Sequence, residues 1–113
     1  MKKGLVCILV ALLALTAFTE SEKRITVFMI GDSTMANKSI TGGKPERGWG
    51  HVLGGFFTED IIVDNHAVNG RSSKSFIDEG RWDKVLSRIK PGDYVVIQFG
   101  HNDEKPKADR HTD

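Results

Sequence analysis

Three short runs of consecutive apolar residues punctuate the chain, and between them apolar positions recur at helical spacing. Ile25 to Ile30 (ITVFMI) is β-branched and aromatic and stops at Gly31, which predicts a buried strand. Trp49, Val52, Leu53 and Phe56 then fall at i, i+3, i+4 and i+7, one face of a helix, although Gly48, Gly50, Gly54 and Gly55 weaken it. Ile61 to Val63, continuing to Val68, predicts a second strand ended by Asn69-Gly70. Trp82, Val85, Leu86 and Ile89 repeat the helical spacing until Pro91-Gly92-Asp93 stops it. Tyr94 to Phe99 (YVVIQF) predicts a third strand, closing at Gly100.

Strands with unbroken apolar runs, alternating with helical segments, predict an α/β fold: a doubly wound parallel sheet covered on both faces. In such sheets ligands bind outside the carboxyl ends of the strands. The chemistry is therefore expected in Gly31-Asp32-Ser33-Thr34, Asn69-Gly70-Arg71-Ser72-Ser73 and Gly100-His101-Asn102-Asp103.

The N-terminus changes the picture of the usable chain. Lys2 and Lys3 precede an uncharged apolar run from Leu5 to Phe18, followed by small and polar residues, which predicts a bacterial-type signal peptide over residues 1–21 and a secreted or periplasmic product. The run is shorter than the ~20 residues a bilayer core requires, so no stable membrane anchor is expected. Cys7, the only cysteine, lies inside that run, so the remainder has no thiol for a disulfide, a Cys-ligated zinc or a Cys nucleophile. With 16 basic against 15 acidic residues, net +1 and interspersed, the chain lacks the concentrated basic face that a nucleic-acid partner requires. Its four histidines, at 51, 66, 101 and 111, show no i, i+4 pair, so no metal is expected. No cofactor is expected either. Pro45 follows Gly43-Lys44 where a P-loop needs Ser or Thr, and Gly48, Gly50 and Gly54 are misspaced for a dinucleotide fingerprint.

Each strand-end segment carries one group suited either to nucleophilic attack or to stabilising an oxyanion. Ser33, in a turn directly after the first strand, can present a nucleophilic hydroxyl; taken alone, the Gly-Asp-Ser turn is better read as a helix N-cap, since serine and aspartate are both preferred caps. Gly70 lets the backbone approach a ligand with its N–H aimed at developing negative charge, or is an ordinary Asn-Gly turn. Asn102 can donate an uncharged hydrogen bond to an oxyanion, or is a cap or turn residue. Their convergence on one edge of a sheet distinguishes them from three unrelated turns.

The residues resemble the SGNH (GDSL-type) hydrolases, and among them the rhamnogalacturonan acetylesterase-like branch. The first block is Gly31-Asp32-Ser33-Thr34-Met35-Ala36, followed by Arg47-Gly48-Trp49-Gly50; the second is Ala67 to Phe76; the third is Phe99-Gly100-His101-Asn102-Asp103. The resemblance implies a flavodoxin-like, five-stranded doubly wound sheet in which the third strand is internal. It implies Ser33 as nucleophile, with the Ser33 N–H, the Gly70 N–H and the Asn102 side chain forming an oxyanion hole. The implied activity is serine ester hydrolysis through an acyl-enzyme, removing acetyl groups from a rhamnogalacturonan or pectin-type polysaccharide. The alternatives are a GDSL lipase or arylesterase acting on small esters, and a non-catalytic carbohydrate-binding fragment.

The sequence departs from the family pattern in one respect. The family draws its general base from an Asp-x-x-His block near the C-terminus, and none follows Asn102; Asp109-Arg110-His111 has the wrong spacing. Residues 22–113 are accordingly read as the N-terminal portion of one hydrolase domain, missing its C-terminal part and inactive alone. His101 adjoins Asn102 within the third block and is a poor substitute base; His51 and His66 are expected to be structural or exposed. Trp49, Trp82 and Tyr94 are possible sugar platforms, but Trp49 and Trp82 occupy apolar helix faces and are expected to pack in the core.

Overall fold

The structure, a computed structural model, describes residues 23–113. The expected signal segment, residues 1–21, and Cys7 with it lie outside the described residues. Three strands form one parallel sheet: β1 (Ile25–Gly31), β2 (Ile61–Asn65) and β3 (Tyr94–Gln98), in the order β2-β1-β3. Ile25 of β1 is paired with Ile61 of β2, and Val27 with Tyr94 of β3. The chain thus moves to one side of β1 and then to the other, the opening order of a doubly wound sheet.

The unbroken apolar run of β1 follows from its place at the centre of this order. Val27, Phe28, Met29 and Ile30 are all buried, because both faces of the strand are covered. Phe28 and Ile30 face one layer with Phe76, Val85, Trp82, Ile89, Val95 and Phe99. Val27 and Met29 face the other with Met35, Leu53, Ile61, Val63, Ala67 and Val96. The outer strands are less covered, and Ile62, Tyr94 and Ile97 stand exposed.

The first helical segment differs from its expectation. Helix α1 (Trp49–Val52) is a single turn, continued by a 3-10 turn over Leu53–Phe56. Only Leu53 packs into the core, while Trp49, Val52 and Phe56 are exposed. The cause lies in the glycines. The N–H groups of Trp49 and Gly50 donate to the carbonyls of Thr34 and Met35, drawing this backbone against the turn that follows β1. A Cβ on Gly48 would lie 2.1 Å from the Ala36 carbonyl oxygen, closer than any side chain permits. This close approach turns the Trp49 side chain outward, so the core placement expected for Trp49 is incorrect; Trp82 does pack on the core.

Strand β2 also ends sooner than the apolar pattern predicts. The Asn65 side chain folds inward, donating to Met35 O at 3.0 Å and Asn37 Oδ1 at 2.9 Å and accepting from Ala67 N at 3.1 Å, which bends the chain. His66 N–H and Val68 N–H still donate to Met29 and Gly31 of β1, so the segment to Val68 stays alongside the central strand. Two helices follow, α2 (Ser73–Asp78) and α3 (Arg81–Leu86). The periodicity did not reveal α2, because Phe76 is its only buried large apolar residue. Its start is set by a reciprocal cap: Ser72 Oγ accepts from Ser75 N–H and Ser75 Oγ accepts from Ser72 N–H. Among the described residues, no helix is long and apolar enough to cross a membrane.

Candidate active site

The order β2-β1-β3 puts the reversal of winding at the carboxyl ends of β1 and β3, the place where doubly wound sheets bind their ligands. The Ser33 turn opens at that point. Asp32 N–H donates to Gln98 O at the end of β3, and the Asp32 carbonyl accepts from the N–H groups of Met35 and Ala36. The Asp32 side chain is fully buried, and its Oδ1 accepts from Thr34 N–H at 2.9 Å. Thr34 Oγ1 lies 2.9 Å from the same oxygen and 2.7 Å from Gln98 Oε1, one hydroxyl proton shared between two acceptors. Asp32, not Ser33, therefore supplies the turn's side-chain acceptor. No helix begins at Ser33, which removes the helix-cap reading, and the residue is half-buried at the rim of the sheet.

Gly70 occupies the turn after β2. Arg71 N–H donates to Val68 O across it, and Gly70 has φ of 74°, a left-handed backbone in which a side chain costs about 1–2 kcal/mol. Glycine is required there by conformation rather than space. The nearest atoms to a hypothetical Cβ are the Arg110 guanidinium nitrogens, at an ordinary contact distance of 3.8 Å.

Asn102, in the turn after β3, is buried to 1% exposure. Its Nδ2 donates to Arg71 O at 3.1 Å, and its Oδ1 accepts from Lys105 Nζ at 2.9 Å. One Nδ2 hydrogen is thereby engaged and the other is left. The three strand ends are thus tied in a ring. Val68 N–H joins the β2 exit to Gly31 of β1, Asp32 N–H joins the β1 exit to Gln98 of β3, and Asn102 joins the β3 exit to Arg71 beside Gly70.

A second support escaped the sequence reading. Asp103 Oδ1 accepts from Ser73 N–H at 3.0 Å, from the Ser73 hydroxyl and from Thr112 Oγ1 at 3.1 Å, while Oδ2 accepts from Gly100 N–H at 3.0 Å. It clamps the Asn102 turn to the first residue of α2, three residues beyond Gly70. Burial acts to raise the Asp103 carboxyl, but these hydrogen bonds outweigh it and hold the group below the usual aspartate value. Because the folded-state value is depressed, the stabilisation is fully present above about pH 4 and is lost as pH falls through the folded value. Asp103→Asn is therefore expected to destabilise the protein at neutral pH, with the difference from wild type shrinking on acidification below about pH 4. Urea unfolding of both proteins across that range checks it, and a difference that grows on acidification would contradict the clamp.

The histidines do not complete a catalytic pair with Ser33. His51 Nδ1 accepts from Lys38 N–H, His66 lies against Asp64 and Arg88, His111 pairs with Asp113, and His101 is exposed. Among the described residues, no cluster of three His, Cys, Asp or Glu side chains is placed to hold a metal ion. Trp49 Nε1 donates to Gln98 Oε1 at 2.8 Å, which fixes a 40% exposed indole beside the Ser33 turn.

Residues 29–113 match the GDSL-like Lipase/Acylhydrolase family. The chain belongs to this family. It is 46% identical over 87 residues to rhamnogalacturonan acetylesterase RhgT of Bacillus subtilis, an alignment covering 77% of this chain and 37% of that protein. A rhamnogalacturonan acetylesterase of Emericella nidulans is 40% identical over 78 residues, covering 69% of this chain and 28% of its own length. The crystal structure of YxiM from Bacillus subtilis superposes with a TM-score of 0.68 at 33% identity, covering 74% of this chain and 24% of that one. The chain therefore spans less than two fifths of these relatives. Its α/β parallel sheet is the fold expected from the three blocks, and its residues 29–113 place it in the lipase/acylhydrolase family.

Proposed function

We propose that the protein to which this chain belongs is a serine esterase that removes acetyl groups from a rhamnogalacturonan or pectin-type polysaccharide through an acyl-enzyme. The observation that carries this reading is the hydrogen-bonded ring that ties the Ser33, Gly70 and Asn102 turns together at the carboxyl edge of the sheet, in a chain 46% identical to an acetylesterase over its matched residues.

In this reading Ser33 Oγ attacks the acetyl carbonyl while a general base takes its proton. The carbonyl oxygen becomes negative and receives hydrogen bonds from Ser33 N–H, Gly70 N–H and the remaining Asn102 Nδ2–H. The tetrahedral intermediate then expels the sugar oxygen, which takes the proton back from the base. Water attacks the acetyl-serine by the same route in reverse, releasing acetate. The base is assigned to a histidine of an Asp-x-x-His block outside these 113 residues. The lysine-led apolar run at the N-terminus supports export, in keeping with a polymeric substrate outside the cell.

The exposed Trp49 indole supports a sugar substrate, since its apolar face can lie against a sugar ring while its N–H stays bonded to Gln98. The test is acetate release by the complete protein from acetylated rhamnogalacturonan, compared with aryl esters of longer acyl chains. Faster turnover of the acetylated polymer is expected. Turnover of long-chain esters alone would favour the lipase alternative, and no turnover of any ester would favour the binding alternative.

A further inference from the structure

Asn102 differs from the other two proposed oxyanion donors in being a side chain, and a side-chain amide can rotate. A half-turn about its last bond would replace the N–H by a carbonyl oxygen, which would repel the developing negative charge. Something must hold the amide in one sense. Its two neighbours do so because neither can change role: the Arg71 carbonyl only accepts, and the Lys105 ammonium only donates. With Nδ2 3.1 Å from Arg71 O and Oδ1 2.9 Å from Lys105 Nζ, both contacts are satisfied, whereas the flipped amide would face donor with donor and acceptor with acceptor. The orientation thus follows from chemistry at both ends.

Lys105 is placed for this by the turn itself. Its N–H donates to the Asn102 carbonyl at 3.3 Å, which returns the chain so that the side chain reaches the amide three residues back. Lys105 is half-buried, and among the described residues its ammonium forms no ion pair with a carboxylate. Its charge therefore acts on the amide undiminished by a counter-ion. A cation on Oδ1 draws electron density toward the oxygen and makes the remaining Nδ2–H a stronger donor. The benefit grows with the negative charge on the acceptor, so it is larger for the oxyanion than for the bound ester, and it belongs in kcat rather than KM.

We infer that Lys105 is a positioning residue for the esterase reaction, orienting and polarising the Asn102 amide through its contact with Oδ1; the inference rests on the proposed serine-esterase reading. The experiment is a double-mutant cycle in the complete protein, with kcat and KM for an acetyl ester measured on Lys105→Met, Asn102→Ala and the pair. Lys105→Met is expected to lower kcat on the order of tenfold, the loss of one charge-assisted hydrogen bond, with KM little changed. Lys105→Arg, which restores a cationic donor, is expected to recover most of it. In the Asn102→Ala background, Lys105→Met should have no further effect, because there is no amide left to orient. A merely structural lysine would instead lower kcat in both backgrounds and reduce the melting temperature in proportion. Should Lys105→Met not fold, Lys105→Gln, a donor without charge, enters the same cycle under the same criteria. Unchanged kcat, a loss confined to KM, or an equal loss in the Asn102→Ala background overturns the inference. Ser33→Ala is run alongside. Turnover by that variant overturns the serine-esterase reading and this inference together, whereas an inactive Ser33→Ala beside an unimpaired Lys105→Met overturns the inference alone.

Discussion

Replacing Ser33 by alanine is expected to lower acetyl-ester turnover by about 10⁶-fold in the complete protein while leaving its unfolding transition in place. The first half follows from the proposed chemistry, since Ser33 Oγ is the only atom assigned to bond the acetyl carbon. The second half follows from the geometry of the turn. Its bonds run from Asp32 to Thr34, Met35, Ala36 and Gln98, and none of these needs the serine hydroxyl. The Ser33 N–H also survives the substitution, so the oxyanion donors are retained and substrate binding should be close to normal. Steady-state acetate release, together with mass spectrometry of a trapped acetyl-enzyme, checks the expectation. An acetyl adduct on another residue, or turnover within tenfold of wild type, would remove Ser33 from the mechanism.

Asn102→Ala should lower kcat by roughly 10²–10³-fold, the usual consequence of deleting one oxyanion donor. A second effect accompanies it here, because the amide is buried and satisfies both the Arg71 carbonyl and the Lys105 ammonium. Leaving those partners unpaired costs about 1–3 kcal/mol of stability, so a lower unfolding midpoint is expected as well. The two losses separate experimentally. Kinetics measured well below the melting transition report the missing donor, and KM should move little because the contact strengthens as the oxyanion forms. A drop of less than about tenfold in kcat would mean that Asn102 serves the Arg71 turn and not the reaction.

Much of the frame was legible along the chain for a simple physical reason. A parallel strand covered on both faces must be apolar at consecutive positions, so β1 announces itself in Val27 to Ile30; β3 carries a similar run from Tyr94 to Gln98, although Tyr94 and Ile97 stand exposed on this outer strand. Because ligands gather at the carboxyl ends of such strands, the segments holding Ser33, Gly70 and Asn102 stand out along the chain as well. The sheet, its three exits and the residue types at them thus follow from local patterning. Other features depend on partners distant in the chain and emerge only on folding. Trp49 carries the spacing of a core residue, yet it faces outward because glycines beside it bring its backbone against the Met35–Ala36 peptide. Asn65 ends β2 because its amide finds Met35 O thirty residues earlier, and Asp103 becomes a clamp only once Ser73 and Thr112 stand beside it. Lys105 reads as one charge among many in a polar tail until the turn carries its ammonium onto the Asn102 amide. Hydrophobic periodicity records burial along a single segment, whereas a hydrogen bond between polar groups depends on direction and distance in space, which the folded sheet alone establishes.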